Sequence, residues 1–261
     1  MFHRIVNAIE TGSPELLVFD GVDVKHFTAV RKRLRRHASE MEGHSFRIHF
    51  FSGEKVLKIV IPSMMHECVG GWINATLTRA SRHGIIPDAW DDTMLVMSAP
   101  EYDNFAGEFC GSVKEADITF VPRVGPYFNQ LAEYPTVVLE SGCAESSERL
   151  TEDARMWQIG SNMGVRVVLQ AKFFPADHNY GVRFVFLVSR ANPKGGSCLP
   201  DYYEIFPPPA NPYHNPSISF EEFYGGNCPP GIDPKTKVEL DLARLAEVAA
   251  IMIRQLGHIP A

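Results

Sequence analysis

Apolar side chains recur along this chain in two periods, one of three to four residues and one of two, and each switch between them marks a new element. Residues 23–42, DVKHFTAVRKRLRRHASEME, set Phe27, Val30, Leu34 and Ala38 at near-helical spacing behind an Asp cap, which predicts an amphipathic helix. SFRIHFFSGEKVLKIVIPS then alternates Phe46, Ile48 and Phe50, and after Ser52-Gly53-Glu54 it alternates Val56, Ile59 and Ile61; this is a hairpin pattern. Past Pro62 and Ser63 the helical period returns, with Met64, Cys68, Trp72, Ile73, Leu77 and Ala80 in step. Gly70 and Gly71 each cost such a helix about 1 kcal/mol relative to Ala, which points to close packing there instead.

Strand-like runs follow at Met94 to Ser98, Ala116 to Val121 and Thr136 to Glu140. A helical pattern from about Ser147 to Ile159 separates the last of these from VRVVLQAKFF, and GVRFVFLVSR is a further strand. Strand, helix, strand in that order predicts a parallel crossover. The fold class expected is α/β (α+β), a mixed central sheet flanked by helices. One elaborated domain over 1–261 accounts for the pattern, with a core at about 44–190 and no second core. Residues 191–234 read as a Pro- and Gly-rich irregular excursion, and a C-terminal helix is expected at about 237–256.

With 25 Lys+Arg against 31 Asp+Glu the formal charge is −6, so a polyanion partner must be held locally. The densest basic run, Arg31, Lys32, Arg33, Arg35 and Arg36, is either a solvated helix surface or a phosphate-binding face in which Arg31, Lys32 and Arg35 are the nucleic-acid candidates. No apolar run nears the roughly 20 residues needed to cross a bilayer, and the opening residues lack a signal-peptide pattern. Cys68, Cys110, Cys143, Cys198 and Cys228 are widely spaced and form no CxxC pair, which suits reduced thiols in an intracellular protein, cytoplasmic or nuclear. HECVG has Gly70 where a zinc helix needs its second His, GCAES lacks a nucleophile-elbow serine, and neither a Walker loop nor GxGxxG occurs.

The block richest in chemistry runs from KEADITFVP through PTVVLESG to VRVVLQAKF. Asp117 begins one strand and Glu140 ends another; if the two are antiparallel neighbours, both carboxylates lie at one end of the sheet. Two such acids suit Mg2+ (or Mn2+), which activates water and neutralises charge on a phosphoryl group. A fixed cation would complete the site, and Lys172, two residues after Gln170 on the same strand face, is the candidate. Carboxylates also end strands in many α/β proteins with no such role.

In order and spacing, GEKVLKIVIPSMMHE, the Asp of EADITFVP, the Glu of PTVVLESG and the ES-x(3)-L-x(2)-DA-x(2)-W helix resemble the Uma2-like family of restriction-endonuclease-type proteins, especially its fungal-type members. That family belongs to the PD-(D/E)XK nuclease superfamily. The likeness covers roughly residues 55–190, with ELDLARL also similar. It implies a mixed sheet of four or more strands flanked by helices, Mg2+-dependent DNA hydrolysis and frequent homodimers. Asp117 looks like the motif Asp, Glu140 like the motif acid, and Glu67 matches a position for an additional metal-binding acid. Gly142 stands where the superfamily has its lysine, and Asp153 and Arg155 stand where the family places one in the following helix. Lys172 in QAK, similar to a QxK variant, and Arg155 are the two replacements to consider.

Three functions follow. The first is a metal-dependent endonuclease using Asp117 and Glu140, with Lys172 or Arg155 steadying the phosphate. The second is a nuclease-like fold without hydrolysis that binds nucleic acid or protein. The third is a small-molecule enzyme walled by the aromatic excursion. Trp157 reads as core, and Tyr202, Tyr203, Phe206, Tyr213 and Phe223 read as anchors for the excursion.

Overall fold

The computed structural model describes residues 1–36, 44–143, 147–192, 200–211 and 214–261, of which 143 and 147–151 are described by backbone alone. The expectations for Ala38, Cys198 and Tyr213 lie outside the described residues.

Helix α1 (Phe2–Thr11) buries Ile5, Ala8 and Ile9 and ends at Gly12, whose φ of 67° is the left-handed cap that glycine adopts without strain. Strand β1 (Leu16–Phe19), helix α2 (Val24–Arg36) and the hairpin β2 (Arg47–Phe51) and β3 (Val56–Val60) follow. The three strands pair antiparallel in the order β1-β3-β2. Alternation sends Leu17, Ile48, Phe50, Leu57 and Ile59 against the two helices, where Phe27 stacks on Phe50 at 4.2 Å. Phe51 and Val56 take the opposite face and join a different cluster. These N-terminal elements thus pack around a hydrophobic cluster of their own.

Helix α3 (Met64–Arg82) and the short α4 (Ala89–Thr93) lead into β4 (Met94–Ser98), β5 (Glu101–Tyr102), β6 (Lys114–Glu115) and β7 (Ile118–Val124). Then come β8 (Gln130–Leu131), β9 (Val137–Cys143), α5 (Ser147–Gly160), β10 (Val167–Phe173), β11 (Gly181–Val182) and β12 (Phe184–Arg190). The chain ends through β13 (Asp201–Phe206), β14 (Ser217–Ser219), α6 (Phe220–Phe223), β15 (Lys237–Glu239), α7 (Leu242–Gln255) and β16 (Ile259–Pro260). The predicted excursion therefore contains ordered strands and a helical turn. Phe206 and Phe223 are buried as anchors, whereas Tyr202 is 46% exposed.

The central mixed sheet has the order β13-β12-β10-β9-β7-β4, with β8 paired to β7. β9 and β10 run parallel across α5, as the strand-helix-strand pattern predicts, and the other neighbours are antiparallel. On one face Leu139, Leu169 and Ala171 pack against Val69, Trp72 and Ile73 of α3 and Leu245 and Ala249 of α7. On the other, Val138 and Val168 meet Ala154, Met156 and Trp157 of α5, together with Phe51 and Val56 of the hairpin. Each large apolar side chain buried this way contributes about 1.5–3 kcal/mol. Close packing is real at Gly70, where an added Cβ would sit 3.4 Å from Ile118 Cδ1, but Gly71 has nothing within 4 Å.

Candidate functional site

β7 and β9 pair antiparallel with Ile118 opposite Leu139, so one step further Asp117 stands opposite Glu140. The two acids face each other at the end of the β7–β9 pairing, although Glu140 does not end its strand as expected, since β9 runs on to Cys143 beside β10, and their carboxylates turn to different neighbours. Glu140 follows the strand alternation onto the α5 side, where its Oε1 accepts from Trp157 Nε1 at 2.7 Å. Asp117 sits at a bend just before β7, and its Oδ2 accepts from both the N–H and the Oγ of Ser141, each at 2.6 Å. Ser141 Oγ lies 3.3 Å from the carbonyl of His66, so the Asp117 side chain is tied to the first turn of α3. Arg47, at the start of β2, brings Nε to 3.7 Å from Asp117 Oδ1.

The cation at Glu140 comes from β6. Lys114 Nζ is 3.2 Å from Glu140 Oε1 and 3.2 Å from Asp153 Oδ2, on a side chain that is 2% exposed. Its ammonium lies where the two sheets and α5 meet, 5.6 Å from the Phe51 ring. Burial pushes the Glu140 carboxyl up to about 7; Lys114 and the Trp157 N–H oppose the rise, and Asp117 and Asp153 add to it. Glu115, which accepts from the Ile48 N–H at 2.9 Å, is also pushed up to about 7 by burial. His49 is held well below the usual imidazole range by burial, with Lys114, Lys58 and Arg47 repelling a proton.

The residues singled out in the sequence are dispersed around this centre. Lys172 lies on β10 opposite Gly142 and Val185, buried, with Nζ 4.6 Å from the Phe174 ring. Arg155 points away to Glu108 at 2.6 Å and Glu152 at 3.3 Å. The ammonium that meets Glu140 is thus that of Lys114, rather than a group from Lys172 or Arg155, and Asp153 is its second acid. Glu67 is exposed in the first turn of α3. Arg31 pairs with Glu101 and with Asp103 at 3.1 Å, Arg35 pairs with Glu101 at 2.8 Å, and Lys32 is exposed beside them. Lys114, Ser141, Arg47 and His66 were missed. The one signal available was Lys114 standing three residues before Asp117 in KEAD.

Mg2+ takes one or two carboxylates and keeps several waters. Asp117 Oδ2 accepts from Ser141, and Glu140 Oε1 accepts from Trp157 beside the Lys114 ammonium, so a metal ion at either oxygen would have to displace these partners. Among the described residues no three His, Cys, Asp or Glu side chains gather to hold a metal ion. The Lys114 ammonium already supplies the positive charge between Glu140 and Asp153 that a metal would bring. No helix among the described residues is long and apolar enough to cross a membrane. No known protein-family profile matches the chain, and no curated protein matches its sequence.

Proposed function

We propose that this chain is a nucleic-acid-binding protein on a nuclease-like mixed sheet, holding backbone phosphate on the basic face of α2. The observation behind this reading is the placement of the basic helix. Thr28, Arg31, Lys32, Arg35 and Arg36 line a surface concavity of about 330 Å³ on α2. Arg31 and Arg35 both bind Glu101 of β5, and β5 pairs with β6 so that Tyr102 faces Lys114. The basic face is thereby anchored to the strand pair that delivers the cation of the acid site. With a net charge of −6, such a local surface is what would recruit a polyanion.

The test is fluorescence anisotropy of a labelled DNA duplex with the full chain, in EDTA and over a range of salt. Binding that weakens steeply with salt, and weakens further in Lys32→Glu/Arg36→Glu, is the expected result. No binding at low salt, or binding indifferent to that double substitution, refutes the reading.

A second reading, hydrolysis of the bound phosphodiester with Mg2+ or Mn2+ at Asp117 and Glu140, is favoured by their opposed positions, Asp117 just before β7 and Glu140 on β9. It requires Lys114 to leave Glu140. Divalent-dependent cleavage by the wild type that disappears in Asp117→Ala would establish it over simple binding.

A further inference from the structure

Two arginines of the basic face share one acid of β5. Arg31 Nη2 contacts Glu101 Oε1 and lies 3.1 Å from Asp103 Oδ2, and Arg35 Nη2 lies 2.8 Å from the same Glu101 Oε1. One carboxylate oxygen thus serves two arginines, each donating through Nη2, in place of the two parallel bonds by which a guanidinium forks onto a carboxylate or a phosphate. The buried Nε of Arg31 has no hydrogen-bond partner among the described residues. Both arginines line the concavity of about 330 Å³ together with Thr28, Lys32 and Arg36, so the acids hold two of the cationic side chains that face a single cavity.

Glu101 stands directly opposite Glu115 in the antiparallel pair of β5 and β6, and like charges so placed repel. Among the described residues Arg31 and Arg35 are the cations that pair with Glu101 and hold it there. A phosphodiester presents one negative charge on two non-bridging oxygens, the same charge and the same pair of acceptors as a carboxylate, so it competes with Glu101 and Asp103 for both guanidinium groups. Arg35, 65% exposed, can turn to it readily, whereas Arg31, 18% exposed and held by two acids, is the firmer contact. We propose that Glu101 and Asp103 are a built-in competitor of the basic face of α2. In the free chain they occupy Arg31 and Arg35 and leave Lys32 and Arg36 to meet a backbone phosphate first; a bound strand displaces them. This rests on the nucleic-acid reading above and supplies its regulation.

The experiment measures the anisotropy of the labelled DNA duplex in EDTA at one fixed salt, with the full chain throughout. Glu101→Gln/Asp103→Asn keeps the shape of both side chains and removes their charge, and it should bind the duplex about tenfold more tightly than wild type. That gain should vanish in an Arg31→Gln/Arg35→Gln background, because it comes from the arginines released and not from the lower negative charge of the chain. Arg35→Gln alone, at an exposed position, should remove part of the gain; it serves where loss of Arg31 disturbs folding, which thermal melts of every variant report.

A gain that survives without the two arginines reports only the change in net charge and overturns the competitor. Glu101→Gln/Asp103→Asn that binds as wild type does also overturns it, and weaker binding overturns it in favour of acids that position the guanidinium groups. In these cases wild-type binding that falls with Lys32→Glu/Arg36→Glu keeps the nucleic-acid reading. No duplex binding by wild type or by Glu101→Gln/Asp103→Asn refutes that reading, and the competitor with it.

Discussion

Replacing Lys114 by Met removes an ammonium while keeping most of the side chain's volume. In the wild type that ammonium stands 3.2 Å from Glu140 Oε1 and 3.2 Å from Asp153 Oδ2 and is almost wholly shielded from water. Breaking a buried pair by deleting one partner costs about 3–5 kcal/mol, because the remaining charge is left without compensation. Here the cost depends on pH. With its carboxyl already raised to about 7, Glu140 takes up a proton in mildly acidic solution and relieves part of the strain. Lys114→Met should therefore lose about 3 kcal/mol or more at pH 8 and clearly less at pH 5.5. At roughly 2–4 °C per kcal/mol for a chain of this size, the pH 8 loss corresponds to a fall in melting temperature of about 6–12 °C. Urea unfolding at both pH values measures it, and Lys114→Met/Glu140→Gln should recover part of the pH 8 loss. A loss below about 1 kcal/mol at pH 8, or equal losses at the two pH values, would refute the assignment of Lys114 as the cation that compensates Glu140.

Three further outcomes are expected. A Glu140 carboxyl raised from the ordinary 4.5 to about 7 makes the folded state hold the proton more tightly than the unfolded chain, so its contribution is fully present at low pH and is lost as pH rises through 7. The fall amounts to about 3 kcal/mol at most, and urea unfolding of Glu140→Gln against wild type should show it flattened, Glu115 retaining its own share. Trp157→Phe deletes the Nε1 donor to Glu140 and should cost about 1.5–3 kcal/mol; in the wild type the Trp157 indole N–H resonance should titrate near pH 7, and a flat resonance would contradict the hydrogen bond at 2.7 Å. Gly142→Lys puts a side chain where an added Cβ meets nothing within 4 Å, in a strand where glycine is unfavourable; its melting temperature should equal or exceed that of wild type, and a fall of several degrees would show the position to be closed.

Much of the sheet was legible because hydrophobic period is a local property that burial on one face enforces. The hairpin of β2 and β3, helix α3, strand β4 and the crossover from β9 through α5 to β10 all stand where alternation or helical spacing put them. Helix α1 escaped notice because its buried Ile5, Ala8 and Ile9 come in one short stretch without a capping side chain. The excursion looked irregular because β14 has only three residues and β13, DYYEIF, does not alternate apolar with polar residues although it pairs antiparallel with β12.

The candidate site divides along the same line. Sequence placed Asp117 and Glu140 at strand ends, and the antiparallel pairing of β7 with β9 brings them opposite each other. Where their carboxylates turn was decided by tertiary contacts, namely the bend at Asp117 that hands it to Ser141 and the burial of Glu140 against Trp157. The cation depended most on tertiary structure. Lys114 lies on a two-residue strand, and it meets Glu140 and Asp153 because β6 is held between β5 and the hairpin, through the pair Tyr102–Lys114 and the bridge Phe50–Val113. Sequence spacing carries no record of such a meeting, since an ammonium's charge acts through space on whichever acids the packed core brings to it.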